Sequence, residues 1–471
     1  MTTKSQKIEG RILSIPRVVL AGTHSGVGKT SLSLALVSAL RRRGLRVQTF
    51  KVGPDFLDPT YLALASGRPC YNLDGWMTGS KDYVCRLFGR VSEDADIAVM
   101  EGVMGLFDGA DPATIEGSTG EVAKWLHAPV LLIANAHGLG RSLAAMVKGY
   151  ASFEPGVNIA GVIANQCGSE EHAEGLAHSL QASSLPSLLG AIPRGRLAQL
   201  PSRHLGLVTA DANNLAPSTL DALAQALEQH ASLEGILRVA RSAPPLEISA
   251  PERKAVAKRW RVAVARDRAF HFYYQDLFDE LEMGGCELIP FSPAEDQRLP
   301  ACEALYIGGG YPEEHAAALS ANKPMLEAIR QLAAANRPIY AECGGLMYLA
   351  KSLETGDGRE YPMVGLLPAA TRMLDHKKVL GYVEVILKED SLWGAKGTKF
   401  RGHEFHYSEM SMDPTGRAGW QASYTLRRRR AEGIREEGFQ RGRVLASYVH
   451  LHLASRPEAL RFFIYHCGEN S

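Results

Sequence analysis

The decapeptide Ala21-Gly-Thr-His-Ser-Gly-Val-Gly-Lys-Thr30 leaves this chain little freedom in how it can fold. It follows Arg17 to Gly22, which reads as a buried strand. It precedes an apolar stretch through Leu40 that reads as a helix closed by Arg41 to Arg43 and Gly44. Gly26 and Gly28 let backbone N–H groups approach phosphate oxygens, and the helix N-terminus adds a favourable dipole. Lys29 is spaced to reach the β- and γ-phosphates, and the Thr30 hydroxyl, with Ser31 behind it, to join a magnesium shell. Thr23 stands where the usual G-x-x-x-x-G-K-T pattern has its first glycine. A strand before the loop and an apolar helix after it make nucleotide binding the reading, rather than an incidental turn.

Such a loop needs a parallel sheet around it, and the sequence supplies the strands. Runs at Leu45 to Lys51, Ile97 to Met100, Val130 to Ala134 and Ile159 to Ile163 alternate with helical stretches such as Glu121 to Leu126 and Ser142 to Tyr150. The 471 residues exceed what one hydrophobic core organises. Prolines and charges interrupt any periodic face between 232 and 258, so that stretch reads as a linker. A fresh α/β pattern follows, with strands at Arg261 to Ala265, Glu287 to Pro290, Ala304 to Ile307 and Pro338 to Ala341. Two α/β domains are expected, 16–231 and 259–471.

Composition narrows the partners. Lys plus Arg number 52 against 51 Asp plus Glu, too even for a protein that coats nucleic acid. The Arg427 to Arg430 run reads as a solvated loop or hairpin edge, offset by Glu432, Glu436 and Glu437. No apolar run approaches the roughly 20 residues of a membrane helix. Met1 to Gly10 lacks a signal-peptide apolar region, and seven cysteines without a C-x-x-C pair fit a reducing compartment. A cytoplasmic protein with small-molecule partners is expected, without nucleic acid or membrane, and with a homodimer left open.

Two acidic clusters lie at strand ends beside the phosphate loop: Asp55 and Asp58 in Lys51 to Pro59, and Glu101 and Asp108 in Met100 to Gly109. Their hard oxygens suit Mg²⁺ bridging nucleotide phosphates. Far along the chain, Cys343 follows a buried strand and precedes an apolar helix, the arrangement of a nucleophile elbow. The other six cysteines read as buried small hydrophobes. The turn Gly308 to Gly310 suits an oxyanion, with Gly309, Gly310 and the elbow's Gly344 as candidate N–H donors. His450 and His452 offer a base for the thiol, and spacing alone does not choose between them.

Taken together, Gly22 to Thr30, Lys51 to Pro59 and Glu101 to Gly109 resemble the cobyrinate a,c-diamide synthase family. So do Ala265 to Tyr274, Gly308 to Glu313, Ala341 to Gly345, Arg401 to Ser408 and Ser447 to His450, in one order over residues 16–460. The resemblance implies an N-terminal P-loop, dethiobiotin-synthetase-like parallel-sheet domain joined to a C-terminal class I glutamine amidotransferase-like α/β domain. It implies ATP- and Mg²⁺-dependent amidation of the a- and c-acetates of cobyrinate through an acyl phosphate, with nitrogen from glutamine. Cys343 would be the glutaminase nucleophile and His450, which follows Ser-Tyr-Val, its base. Asp55, Asp58 and Asp108 would be catalytic acids of the synthetase, with Thr30, Glu101 and Asp55 around the metal. Many class I enzymes place a glutamate two residues past the base; here His452 stands there, so the third triad member is open and a dyad is an alternative. Phe56 replaces a common tyrosine and Asn135 a common aspartate.

The same motifs fit amidation of hydrogenobyrinate or nickel sirohydrochlorin, and cobyric acid synthase shares the domain plan, although Lys51 to Pro59 fits the a,c-diamide enzyme better. A P-loop regulatory ATPase with a binding-only amidotransferase domain is the reading from another class. Intact Cys343, His450 and Gly308 to Gly310 speak against it.

Overall fold

Strands buried on both faces need helices on both sides, and the apolar runs of the N-terminal half meet that condition. The computed structural model describes residues 10–249 and 256–468, apart from 199, 201, 204–205, 208–214, 377–378 and 430–432. The chain divides into two units between Glu252 and Arg253. In the first, seven parallel strands run in the order Tyr71–Leu73, Val47–Val52, Ile97–Gly105, Arg17–Gly22, Val130–Asn135, Ile159–Cys167 and Leu188–Pro193. Arg17–Gly22 and Val47–Val52 are buried throughout. The helix Lys29–Arg42 packs Leu32 and Leu36 into a core with Val18, Ile133, Leu223 and Leu227. The loops at the carboxyl ends of Arg17–Gly22, Val47–Val52 and Ile97–Gly105 therefore gather along one edge of the sheet.

The stretch 232–258 departs from the expected linker. Leu233–Arg241 is a helix, capped by the Ser232 hydroxyl accepting from the Gly235 N–H. Its Leu233, Ile236, Leu237 and Ala240 fall on one helical face and enter the core. Leu246–Ser249 then pairs antiparallel with Gly10–Leu13, which draws residues ahead of the expected boundary at 16 into the unit. Arg17 locks this segment: its buried guanidinium donates to the carbonyls of Ile15, Leu126 and Pro244. The prolines at 244 and 245 separate two ordered elements rather than ending the unit.

The second unit begins as the sequence pattern predicts. Cys286–Phe291, Trp260–Ala265, Ala304–Ile307, Ile339–Glu342 and Val444–Ser447 form a parallel sheet. Five further strands continue it in antiparallel order: Ile434–Arg441, Gln421–Arg428, Val379–Leu387, Lys399–His406 and His450–Leu451. Their sequences hide them. Lys399–His406 reads as polar, yet His403, Glu404 and His406 are buried in it. Arg427 and Arg428 close a strand whose hairpin partner carries Glu436 and Glu437; Arg430 lies outside the described residues. All seven cysteines are free and all but Cys302 are buried. Among the described residues no helix is long and apolar enough to cross a membrane.

If Leu233–Arg241 belongs to the core, Ile236→Ala should lower stability by about 2–5 kcal/mol, whereas a linker position would change it by less than about 0.5 kcal/mol. A thermal or urea melt of the full chain distinguishes the two.

Candidate active site

The phosphate loop is shaped by close approach. Gly28 has φ 96°, and a side chain there would begin 2.4 Å from the Asn165 amide nitrogen, which donates to the Val27 carbonyl at 2.8 Å. Gly26, also at positive φ, opens the turn before it. Lys29 is buried, and its Nζ donates to the carbonyls of Met104 at 2.6 Å and His24 at 3.3 Å. Burial and the charge of Lys51 lower its pKa, while Glu101, Asp58 and Asp108, gathered around it, oppose that fall. Ser31, half-buried, follows on the first helical turn.

Sheet register brings the acids together. Lys51 lies opposite Glu101 on neighbouring strands, and its ammonium donates to Glu101 Oε1 at 2.9 Å, Asp58 Oδ2 at 2.5 Å and the Gly102 carbonyl at 3.3 Å. Thr30 Oγ1 donates to the same Glu101 oxygen at 2.7 Å. Sequence pattern alone assigns Lys51 no role. Its signal was there, a lysine at the inner end of an apolar strand with acids following. Burial opposes its charge, but Asp58 and Glu101 hold it protonated. One lysine cannot neutralise two carboxylates, so burial, reinforced by Asp58, pushes Glu101 up to about 7 against the pull of Lys51.

Glu101 Oε2 is buried and has no hydrogen-bond partner. A hard, unpartnered oxygen beside the Thr30 hydroxyl fits Mg²⁺, which takes one or two protein oxygens and completes its shell with phosphates and water. Among the described residues no cluster of three or more His, Cys, Asp or Glu could hold a metal alone. Asp55 is turned into its own loop: Oδ1 accepts from the N–H groups of Leu57 at 2.7 Å and Asp58 at 2.9 Å. Burial and the neighbouring Asp58 raise its pKa to about 6. Asp108 is exposed and accepts from the Gly105 N–H at 2.9 Å. Asn135 accepts from the His137 N–H, a turn that an aspartate would make equally well.

In the second unit Cys343 has φ 50° and ψ −103°, a strained conformation for a side-chain-bearing residue, costing about 1–3 kcal/mol. The strain is held from both sides. Its N–H donates to the Ser447 carbonyl at 2.7 Å, and its carbonyl accepts from Met347 at 3.1 Å. His450 pairs in register with His403, and their rings stack at 5.0 Å. Burial disfavours the His450 imidazolium, yet the neighbouring Cys343 thiol and Glu342 carboxylate raise its pKa to about 9. His452 Nε2 instead lies 3.3 Å from Asp276. Of the two histidines, the structure sets His450 beside the thiol.

The glycines close the site. A side chain on Gly309 would begin 2.5 Å from the His450 ring, and one on Gly344 3.1 Å from the Gly310 nitrogen. The Gly308 N–H is spent on the Tyr273 hydroxyl at 2.8 Å. Sequence pattern alone assigns Glu342 no role either. It is buried next to Cys343, with Oε2 3.6 Å from His450 Nδ1.

Residues 18–208 match the CobQ/CobB/MinD/ParA nucleotide binding domain family, and residues 261–458 the CobB/CobQ-like glutamine amidotransferase domain family. A cobyrinate a,c-diamide synthase of Syntrophotalea carbinolica is 54% identical over 461 residues, covering 98% of this chain and 100% of that protein. Proteins of the same name from Leptospira interrogans and Archaeoglobus fulgidus are 43% and 41% identical, covering 97% and 96% of this chain and 99% and 97% of theirs.

Removing Lys51 should expose the cost of the buried acids. In Lys51→Met, Glu101, already pushed up to about 7 by burial, loses the ammonium that opposed the rise, so stability is lost as pH rises through that raised value and regained as it falls. Melts should show a loss of about 3–5 kcal/mol at about pH 8 that shrinks at about pH 5.5.

Proposed function

This chain belongs to the cobyrinate a,c-diamide synthase family, and from that premise we propose how its two sites divide the work. The enzyme is a glutamine-hydrolysing ligase that uses ATP to amidate carboxylates in cobalamin synthesis. The observation that carries the division is Cys343, strained on its elbow with His450 beside it, in a chain that also holds the Lys29–Thr30 phosphate loop.

In the amidotransferase unit, Cys343 Sγ attacks the glutamine carboxamide carbon. The N–H groups of Gly309, Gly310 and Gly344 stabilise the oxyanion, and the His450 imidazolium gives its proton to the departing ammonia. Water then releases glutamate from the thioester, with His450 taking the water's proton. In the synthetase unit, an acetate oxygen of cobyrinate attacks the γ-phosphorus of ATP, forming an acyl phosphate and ADP. Ammonia attacks the acyl carbon and phosphate leaves, giving the amide. A carboxylate is a poor electrophile; the acyl phosphate supplies the leaving group it lacks.

Lys29 binds the β- and γ-phosphates. Thr30 and Glu101 would hold Mg²⁺, with Lys51 fixing the Glu101 carboxylate between them. Bound Mg²⁺ neutralises charge on the transferring phosphoryl group. Asp58, clamped by Lys51, and Asp108 at the loop mouth orient the incoming acetate. Asp55 shapes the loop that presents Asp58, and its free oxygen is the remaining candidate for the metal shell.

Two variants test the division. Cys343→Ala should abolish glutamine-dependent amidation and leave amidation from ammonium salts intact. Lys29→Ala should lose amidation with either nitrogen source, by on the order of a hundredfold or more, while still releasing glutamate from glutamine. Loss of ammonia-dependent turnover in a folded Cys343→Ala protein would refute the assignment.

A further inference from the structure

The glutamate that many class I amidotransferases carry two residues past the base is missing here, and His452 in its place is engaged elsewhere. Its Nε2 lies 3.3 Å from Asp276, and its Nδ1 is 3.2 Å from the Ser455 hydroxyl. We propose that Glu342, the residue immediately before Cys343, orients His450 in glutamine hydrolysis. The proposal rests on the glutaminase reading above and adds a positioning residue to it.

The geometry is specific. Glu342 is 3% exposed, and its Oε2 lies 3.6 Å from His450 Nδ1. Three donors fix the carboxylate: Tyr306 OH to Oε2 at 3.0 Å, Tyr340 OH to Oε1 at 2.6 Å and the Leu451 N–H to Oε1 at 3.1 Å. Leu451 adjoins His450, so the carboxylate grips the base's own strand as well as facing its ring. Three donors satisfy the buried carboxylate, and Oε2 has acceptor capacity left for an imidazole N–H. At 3.6 Å the contact is longer than a hydrogen bond, as is common before substrate draws a catalytic pair together.

The other groups that face His450 are Cys343, His403 and His406. Burial lowers the pKa of both histidines, which keeps them neutral. Neither can supply negative charge to an imidazolium. Glu342 is the carboxylate in this set, and it sits one residue before the nucleophile because the strand Ile339–Glu342 points its last side chain toward the strand His450–Leu451. The orienting acid has moved from the base's side of the site to the nucleophile's.

The test is glutamate release from glutamine as a function of pH in the full chain, for wild type, Glu342→Gln and Glu342→Asp. Loss of the negative charge makes the His450 imidazolium give up its proton at lower pH. The alkaline limb of kcat/KM should therefore move to lower pH in Glu342→Gln, with kcat/KM down on the order of tenfold to a hundredfold, while ammonia-dependent amidation is unchanged. Glu342→Asp keeps the charge one methylene farther back, so its limb should move less; it also carries the test if Glu342→Gln fails to fold. An alkaline limb that coincides in wild type and variants overturns the proposal. Cys343→Ala run alongside separates the two claims: if it still hydrolyses glutamine, the glutaminase reading itself has failed.

Discussion

A lysine ammonium buried at the end of a strand must find counter-charge inside the protein, and the synthetase unit is arranged around that demand. Lys51 reaches Asp58, which opens the helix Asp58–Ser66 after its own strand, and Glu101 on the strand beside it. Glu101 in turn accepts from Thr30 at the end of the phosphate loop. One ammonium thus ties two neighbouring strands to the helix after one of them and, through Glu101, to the phosphate loop, and the parallel register opposing Lys51 to Glu101 makes the junction possible. Glu101 Oε2 is left buried without a hydrogen-bond partner beside this cluster.

The amidotransferase unit solves a different problem by related means. There the backbone at Cys343 carries the cost, held at positive φ by hydrogen bonds to Ser447 and Met347. The parallel strand before the elbow presents the thiol, and the antiparallel half of the sheet returns His450 to meet it. Small residues are needed where the pieces converge, since any side chain on Gly309 would run into the imidazole ring. Separate units allow each chemistry its own environment, a charged phosphate site in one and a buried thiol–imidazole pair in the other.

Much of this was legible in the sequence, and the misses share a cause. Apolar strands next to glycine turns declared the phosphate loop, both acidic clusters and the Cys343 elbow, because burial and turn chemistry leave local marks. The helix Leu233–Arg241 is masked in the sequence because its apolar face is short and Pro244 and Pro245 follow it closely. The strand Lys399–His406 carries no apolar pattern because it buries histidines and a glutamate. Lys51 and Glu342 lay inside quoted motifs but gained roles only from partners distant in sequence, Glu101 and His450. The aspartates were legible as a cluster, yet the hydrogen bonds that make Asp55 a loop former and Asp58 an ion-pair partner depend on coordinates.

Coupling a glutaminase to an acyl-phosphate site has a chemical rationale. Free ammonia is mostly protonated at neutral pH, so releasing it within the protein keeps the nucleophile reactive and limits hydrolysis of the activated acid. The most direct measurement is mass spectrometry of cobyrinate after incubation with the enzyme, ATP, Mg²⁺ and glutamine isotopically labelled at its amide nitrogen. Label in amides at both the a- and c-acetates, with glutamate released in step, is the predicted result. Unmodified macrocycle alongside continued ATP hydrolysis, or label confined to other side chains, would contradict it.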